Sequence, residues 1–156
     1  MEPEVQTVAV AKKRTRAVIY RDRVQIRLAV DAAGSAIAEV LKENGIELPG
    51  ASFEKVWPNW LLACDGDTVI GVLQVMPSKP IAYCEMLCVR PKVSFKLRAI
   101  AIRKLIQQGI ATAYHGGASY VACNVDFGND KFENVVEKLN VVRMCERTLF
   151  MKRLKV

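Results

Sequence analysis

The sequence has little of what metal, redox and hydrolytic chemistry needs. Its 156 residues include one histidine, His115, which stands beside Gly116 and Gly117 and reads as part of a helix exit rather than as a ligand. A Ser/His/Asp set therefore has no usable histidine. There is no Walker loop and no metal-ligand spacing. The five cysteines (Cys64, Cys84, Cys88, Cys123 and Cys145) form no CxxC pair, and their odd number argues against a disulfide framework. Most sit in apolar stretches and read as reduced packing residues. No apolar run reaches the length of a membrane span, and the opening MEPEVQTVAV has no secretory pattern, so the expected location is cytoplasmic. Internal repeats and low-complexity segments are also missing.

The length suits one domain with a sizeable core, and a 51% hydrophobic fraction beside 25% charged residues can fill it. Residues 1–22 read as a basic N-terminal arm, with Lys12, Lys13, Arg14 and Arg16 clustered, and residues 23–156 as the domain. The net charge is +7. Two readings stand. One is a solvated basic surface; the other is attraction to nucleic acid, to a cofactor phosphate or to an acidic protein face. Residues 1–21 are then either a solvated tail or an arm that docks on another subunit or on nucleic acid.

Residues 24–30 (VQIRLAV) alternate with period two and predict a strand. Asp31 offers a helix cap, Ala36, Ile37, Val40 and Leu41 give a helical apolar face, and Asn44 with Gly45 stops it. The connecting stretch 46–58 carries Phe53 and Trp57. Residues 60–64 and 68–76 read as strands joined by Asp65, Gly66 and Asp67, a hairpin signal. Residues 119–125 predict a further strand, 129–139 an amphipathic helix with Phe132, Val135, Val136 and Leu139 inward, and 141–145 and 148–154 two short paired strands. The order is β-α-β-β-β-α-β-α-β-β. This predicts an α/β (α+β) domain with a mixed central sheet and helices on both faces.

The stretch 82–105 organises the rest. Its first half, 82–89, is an apolar strand bounded by Pro80 and Pro91. Its second half is helical, with apolar positions Leu97, Ala101 and Leu105, continued at Gln108/Gly109 and Thr112. A strand that feeds a helix N-terminus through a short loop suits a phosphate-bearing cofactor, because unpaired N–H groups and the positive end of the helix dipole meet the anion there. The expected site is a slot between this strand and its neighbour, opening where Pro91 turns the chain. Glu85 is the only carboxylate in the strand, and burial there would favour a general base. Tyr83, two residues earlier, points the same way and joins it as a candidate.

The pattern LxVxP, read here as Leu87, Val89 and Pro91 before a long helix, resembles the acetyl-CoA-binding core of the GNAT acetyltransferase superfamily. The hairpin LLACDGDTVIGVLQV, with Gly71 at the usual glycine position, and the opening IRLAVDAAGSAIAEVL are similar to its second, third and first strands. The family continues with Gln or Arg, two residues, Gly, one residue, and Gly or Ala. Ser94, Phe95, Lys96, Leu97, Arg98 and Ala99 stand there, and only Ala99 fits. Leu97 is expected to carry its side chain into space that a bare backbone would leave to the pyrophosphate. The family's N-x-x-A-x-x-L-Y-x-K-x-G-F falls on residues 129–141. Asn129 and Lys138 match it, Val136 replaces the proton-donating Tyr, and Asn140 and Val141 replace Gly and Phe.

The resemblance implies a GNAT-like fold, acetyl-CoA as cofactor, no metal, and an amine or protein acceptor. It implies Glu85 and Tyr83 as catalytic candidates. Cys88, Val89, Ser94, Lys96, Leu97, Arg98, Ala99 and Asn129 would line the cofactor. Two functions follow. One is an N-acyltransferase or acyl-CoA-binding protein, its activity intact, reduced or lost. The other is a non-catalytic GNAT-fold structural or interaction protein, such as a phage virion or host-interaction component, that makes contacts through its basic arm or as a homo-oligomer.

Overall fold

The computed structural model describes residues 22–47, 59–124, 134, 137–138, 142–143 and 149–153. The arm up to residue 21, most of the 46–58 connection, nearly all of the 129–139 helix, Asn129, Val136 and Cys145 lie outside the described residues. Seven strands form one sheet: β1 (Val24–Leu28), β2 (Trp60–Asp65), β3 (Thr68–Met76), β4 (Ile81–Val89), β5 (Tyr120–Asn124), β6 (Val142–Arg143) and β7 (Leu149–Arg153). Their spatial order is β1-β2-β3-β4-β5-β7-β6. Every pairing is antiparallel except β4 with β5.

Among the described residues, two α-helices cover opposite faces. Helix α1 (Gly34–Glu43) buries Ile37, Val40 and Leu41 against Trp60, Leu62, Val72 and Cys88. Helix α2 (Phe95–His115) lays Leu97, Ala101 and Leu105 on Leu61, Ala63, Leu73, Val75 and Val89. Strand β2 explains the layering. Its residues alternate between the two clusters and Trp60 to Cys64 are all buried, as a strand covered on both faces requires.

The elements begin and end where local chemistry allows. The hairpin turns through Gly66, whose φ of +61° favours glycine. Helix α1 stops as expected. Asn44 and Gly45 donate backbone N–H groups to Leu41 and Lys42, the Asn44 Nδ2 donates to the Val40 carbonyl, and Gly45 takes φ +76°. Asp31 does not occupy the cap position of α1. A 3-10 turn over Asp31–Ala33 precedes α1, and Ala33 occupies the cap position without a side-chain bond. The first strand is correspondingly shorter, ending at Leu28 rather than residue 30.

The buried stripe of α2 also differs from the expected one. It runs Leu97, Ala101, Leu105, Gly109, Ala113, a strict four-residue step that takes Gly109 of the expected Gln108/Gly109 and Ala113 in place of Thr112. Small residues carry little hydrophobic signal, yet here they set the helix-to-sheet distance. A Cβ on Gly109 would stand 2.8 Å from Leu73 Cδ2 and 3.2 Å from Cys84 Sγ. Lys104 Nζ also donates to the Val24 carbonyl at 2.6 Å, tying α2 to the edge strand. Among the described residues, no helix is long and apolar enough to cross a membrane.

Candidate functional site

Strand β4 does two things that a regular strand does not. First, it carries an extra residue. Val72 pairs with Cys88, but Gln74 pairs with Glu85, so two β4 residues stand where β3 has one. Met86, inside this bulge, has φ +51°, the left-handed region that a non-glycine residue rarely adopts. The bulge shifts the side-chain alternation, so that both Glu85 and Cys88 face α1 although they are three residues apart. Second, β4 outruns its parallel partner. Pairing with β5 covers Ile81 to Cys84 and ends at Cys84 opposite Cys123, while β4 continues to Val89. Among the described residues, the ladder with β5 goes no farther than Cys84.

The described β4–β5 pairing therefore ends just before Glu85, ahead of Pro91, where the sequence placed the opening. The bulge bends the chain after Glu85 while β4 stays paired with β3. Tyr83 and Glu85 share one face, opposite Met76 and Gln74 respectively, and both are half-buried. This is the face that α1 covers farther along the sheet.

At the end of β4 the Arg90 N–H donates to the Ile70 carbonyl at 2.8 Å, and the Val93 N–H donates to the Arg90 carbonyl at 3.2 Å, closing a tight turn over Pro91 and Lys92. Ser94 caps the start of α2 by position, without a side-chain bond. The Arg98 N–H is bonded to the Ser94 carbonyl, so the N–H groups of Phe95, Lys96 and Leu97 precede the helical ladder. The first turn holds no acidic residue, and Lys92 and Lys96 are exposed beside it. This end of the helix is electropositive through both dipole and side chains.

The expected cofactor residues divide into three groups. Ser94, Lys96 and Ala99 are exposed around the helix start. Cys88, Val89 and Leu97 turn their side chains into the core, leaving only backbone to a ligand. Leu97 is thus a correction. Its side chain does not enter the space ahead of the helix but packs with Val24, Leu61, Ala101 and Leu105. The helix phase that places Ala101 and Leu105 on the sheet necessarily places Leu97 there too. Arg98 folds back so that Nη2 donates to the Pro91 carbonyl, while its Nε is buried with no hydrogen-bond partner among the described residues. Phe95 is 80% exposed and closes nothing.

Sequence reasoning missed Arg90. Its Nε donates to the Val69 carbonyl at 2.8 Å, its Nη2 to Glu39 at 3.0 Å and its Nη1 to Glu43. Its position inside LxVRP was visible, but its partners on α1 lie about fifty residues away. The bulge at Met86 left no local signal either. The cysteines Cys64, Cys84, Cys88 and Cys123 are free thiols. Burial pushes Cys84 up to about 12, helped by neighbouring Cys123, and burial pushes Cys123 up to about 11. Neither is a poised nucleophile. Among the described residues, no group of three His, Cys, Asp or Glu could hold a metal.

By sequence, no family model and no curated protein matches this chain. By structure, it is similar to N-acetylglutamate synthase from Neisseria gonorrhoeae, complexed with coenzyme A and L-arginine (TM-score 0.69, 13% identity). That match covers 84% of this chain and 33% of the synthase, so the chain spans about a third of the synthase's length. It is similar to Ard1 from Thermoplasma volcanium, at TM-score 0.68 and 11% identity over 86% of this chain and 99% of that one. It is also similar to yncA, a putative acetyltransferase from Salmonella typhimurium with its cofactor acetyl-CoA. There the TM-score is 0.66 and the identity 15%, over 85% and 95% of the two chains. The chain has the fold of the GNAT acetyltransferases.

Proposed function

We propose that the protein binds acyl-CoA and acts as a GNAT-type N-acyltransferase on an amine. The observation that carries this reading is the end of the described β4–β5 ladder immediately before Glu85, with the N-terminus of α2 following the far end of β4. The residues present fit such a ligand. The β4 backbone beyond the described β5 ladder suits an extended amide-bearing arm, and the acid-free helix start with Lys92 and Lys96 suits phosphates. With Leu97 turned into the core, its side chain leaves room ahead of the helix.

When bound, acyl-CoA supplies an activated thioester carbonyl. Glu85 would take the proton that the acceptor amine gives up on acylation, directly or through one water. The thiol released from acyl-CoA would need a proton in turn. Val136 cannot supply it, and Tyr83, on the same face as Glu85, offers the hydroxyl.

A second reading keeps the fold without the chemistry. Its support is the +7 charge and the cluster Lys12, Lys13, Arg14 and Arg16. The chain would then be a structural or interaction component, in a virion for instance, that contacts an acidic partner through residues 1–22. Calorimetry with acetyl-CoA separates the two. Saturable binding that weakens when Ala99 is replaced by Trp supports the first. No heat at millimolar acetyl-CoA, with a partner complex lost on deleting residues 1–21, supports the second.

A further inference from the structure

We propose that Arg90 is a positioning residue that lets α1 set the geometry of the cofactor loop; this rests on the acyl-CoA reading. Arg90 sits where β4 ends, and its side chain is 20% exposed. It lies two residues after Cys88 and shares that residue's face, the α1 face, whereas α2 begins on the opposite side. Its guanidinium is spent on Val69, Glu39 and Glu43. This cation beside the loop is therefore not a phosphate ligand. It is a strap from the loop to β3 and to α1.

The backbone of the same residue sets the turn. Its N–H is fixed to Ile70 and its carbonyl receives the Val93 N–H. Any rotation of Arg90 therefore moves Pro91, Lys92 and the Ser94 cap together, and with them the N–H groups that face the phosphates. Arg98 holds the Pro91 carbonyl from the α2 side. The loop is pinned by two arginines, Arg98 from α2 and its own Arg90, and of these only Arg90 links it to α1.

The two carboxylates do not contribute equally. Glu39 is 66% exposed and its pair with Arg90 is screened by water and salt, whereas Glu43 is 35% exposed. Glu43 is the principal link. Because α1 covers the face on which Glu85 lies, an acceptor that shifts α1 is felt at the cofactor loop through this ion pair.

The test measures acetyl-CoA affinity by calorimetry and amide hydrogen exchange over residues 92–97 in the wild-type chain, Arg90→Met, Arg90→Lys, Glu43→Gln, and the Arg90→Met/Glu43→Gln pair. Glu47→Gln serves as a control. The expected result is a Kd raised about tenfold in Arg90→Met and several-fold in Glu43→Gln, with the pair no weaker than Arg90→Met alone. Arg90→Lys restores part of the affinity, and loop exchange quickens in step. Unchanged affinity and exchange in Glu43→Gln, or additive losses in the pair, overturn the strap. If the wild type binds no acetyl-CoA, the functional reading fails instead. The strap then stands or falls on loop exchange alone, faster in Glu43→Gln supporting it and unchanged overturning it. Glu43→Gln also keeps the test decisive should Arg90→Met not fold.

Discussion

Cys84 and Cys123 stand opposite each other in the last pair of the parallel β4–β5 ladder, and the next residue of β4 is Glu85. The apolar closure of the sheet and the start of the candidate site are therefore one residue apart. The Cys84 side chain lies under α2 near Gly109, and the backbone turn of one residue brings Glu85 to the other face.

Stability should fall at high pH because of this pair. Both thiols titrate higher in the folded chain (about 12 and about 11) than their ordinary value of 9.0. A group that holds its proton more tightly when folded contributes stability that is complete below pH 9 and lost as pH rises through the folded value. The expected decline is at most about 1.4 kcal/mol per pH unit per thiol above pH 9. Urea unfolding at pH 8, 9 and 10 should show a shallower decline in Cys84→Ala/Cys123→Ala than in the parent chain. An identical slope in both would remove the thiols from the account.

Restoring the glycine of the GNAT loop should harm rather than help. Leu97 is 7% exposed and belongs to the α2 core. Leu97→Ala should cost about 2–5 kcal/mol through the cavity it leaves. Leu97→Gly should add roughly 1 kcal/mol for glycine in a helix. Acetyl-CoA affinity should not rise in either variant, since the side chain does not enter the space it was expected to fill. Tighter binding in a folded Leu97→Gly protein would show that it does.

Gly71 tests the close approach behind the site. A Cβ there would meet the Cys88 carbonyl oxygen at 3.1 Å and Val89 Cγ2 at 3.0 Å. The carbonyl belongs to a paired strand and cannot yield freely. Gly71→Ala should destabilise by about 1–3 kcal/mol, although Ala for Gly in a strand otherwise helps. Chemical denaturation measures this, and a stabilised variant would mean that β4 can move away at little cost.

Glu85→Gln separates binding from chemistry. The amide keeps the shape and loses the base. If Glu85 takes the amine proton, kcat should drop about a hundred- to ten-thousand-fold while the acetyl-CoA Kd stays put. A variant that acylates at the parental rate would relieve Glu85 of that role.

Much of this protein was set locally. The strand at VQIRL, the Asp65–Gly66–Asp67 hairpin, the four-residue step from Leu97 to Leu105, and the stops at Asn44, Gly45, Gly116 and Gly117 each rest on residues adjacent in the chain, although Leu28 and Val30 of the expected inward face are exposed. Their order places one helix on each face of a mixed sheet. What tertiary structure alone decided is where β4 leaves β5, that Met86 bulges, that Leu97 looks inward, and that Arg90 reaches Glu39 and Glu43. These outcomes depend on register between strands and on contacts across dozens of residues. A shift of one residue turns every side chain to the opposite face, and no local pattern fixes that shift until the sheet has formed.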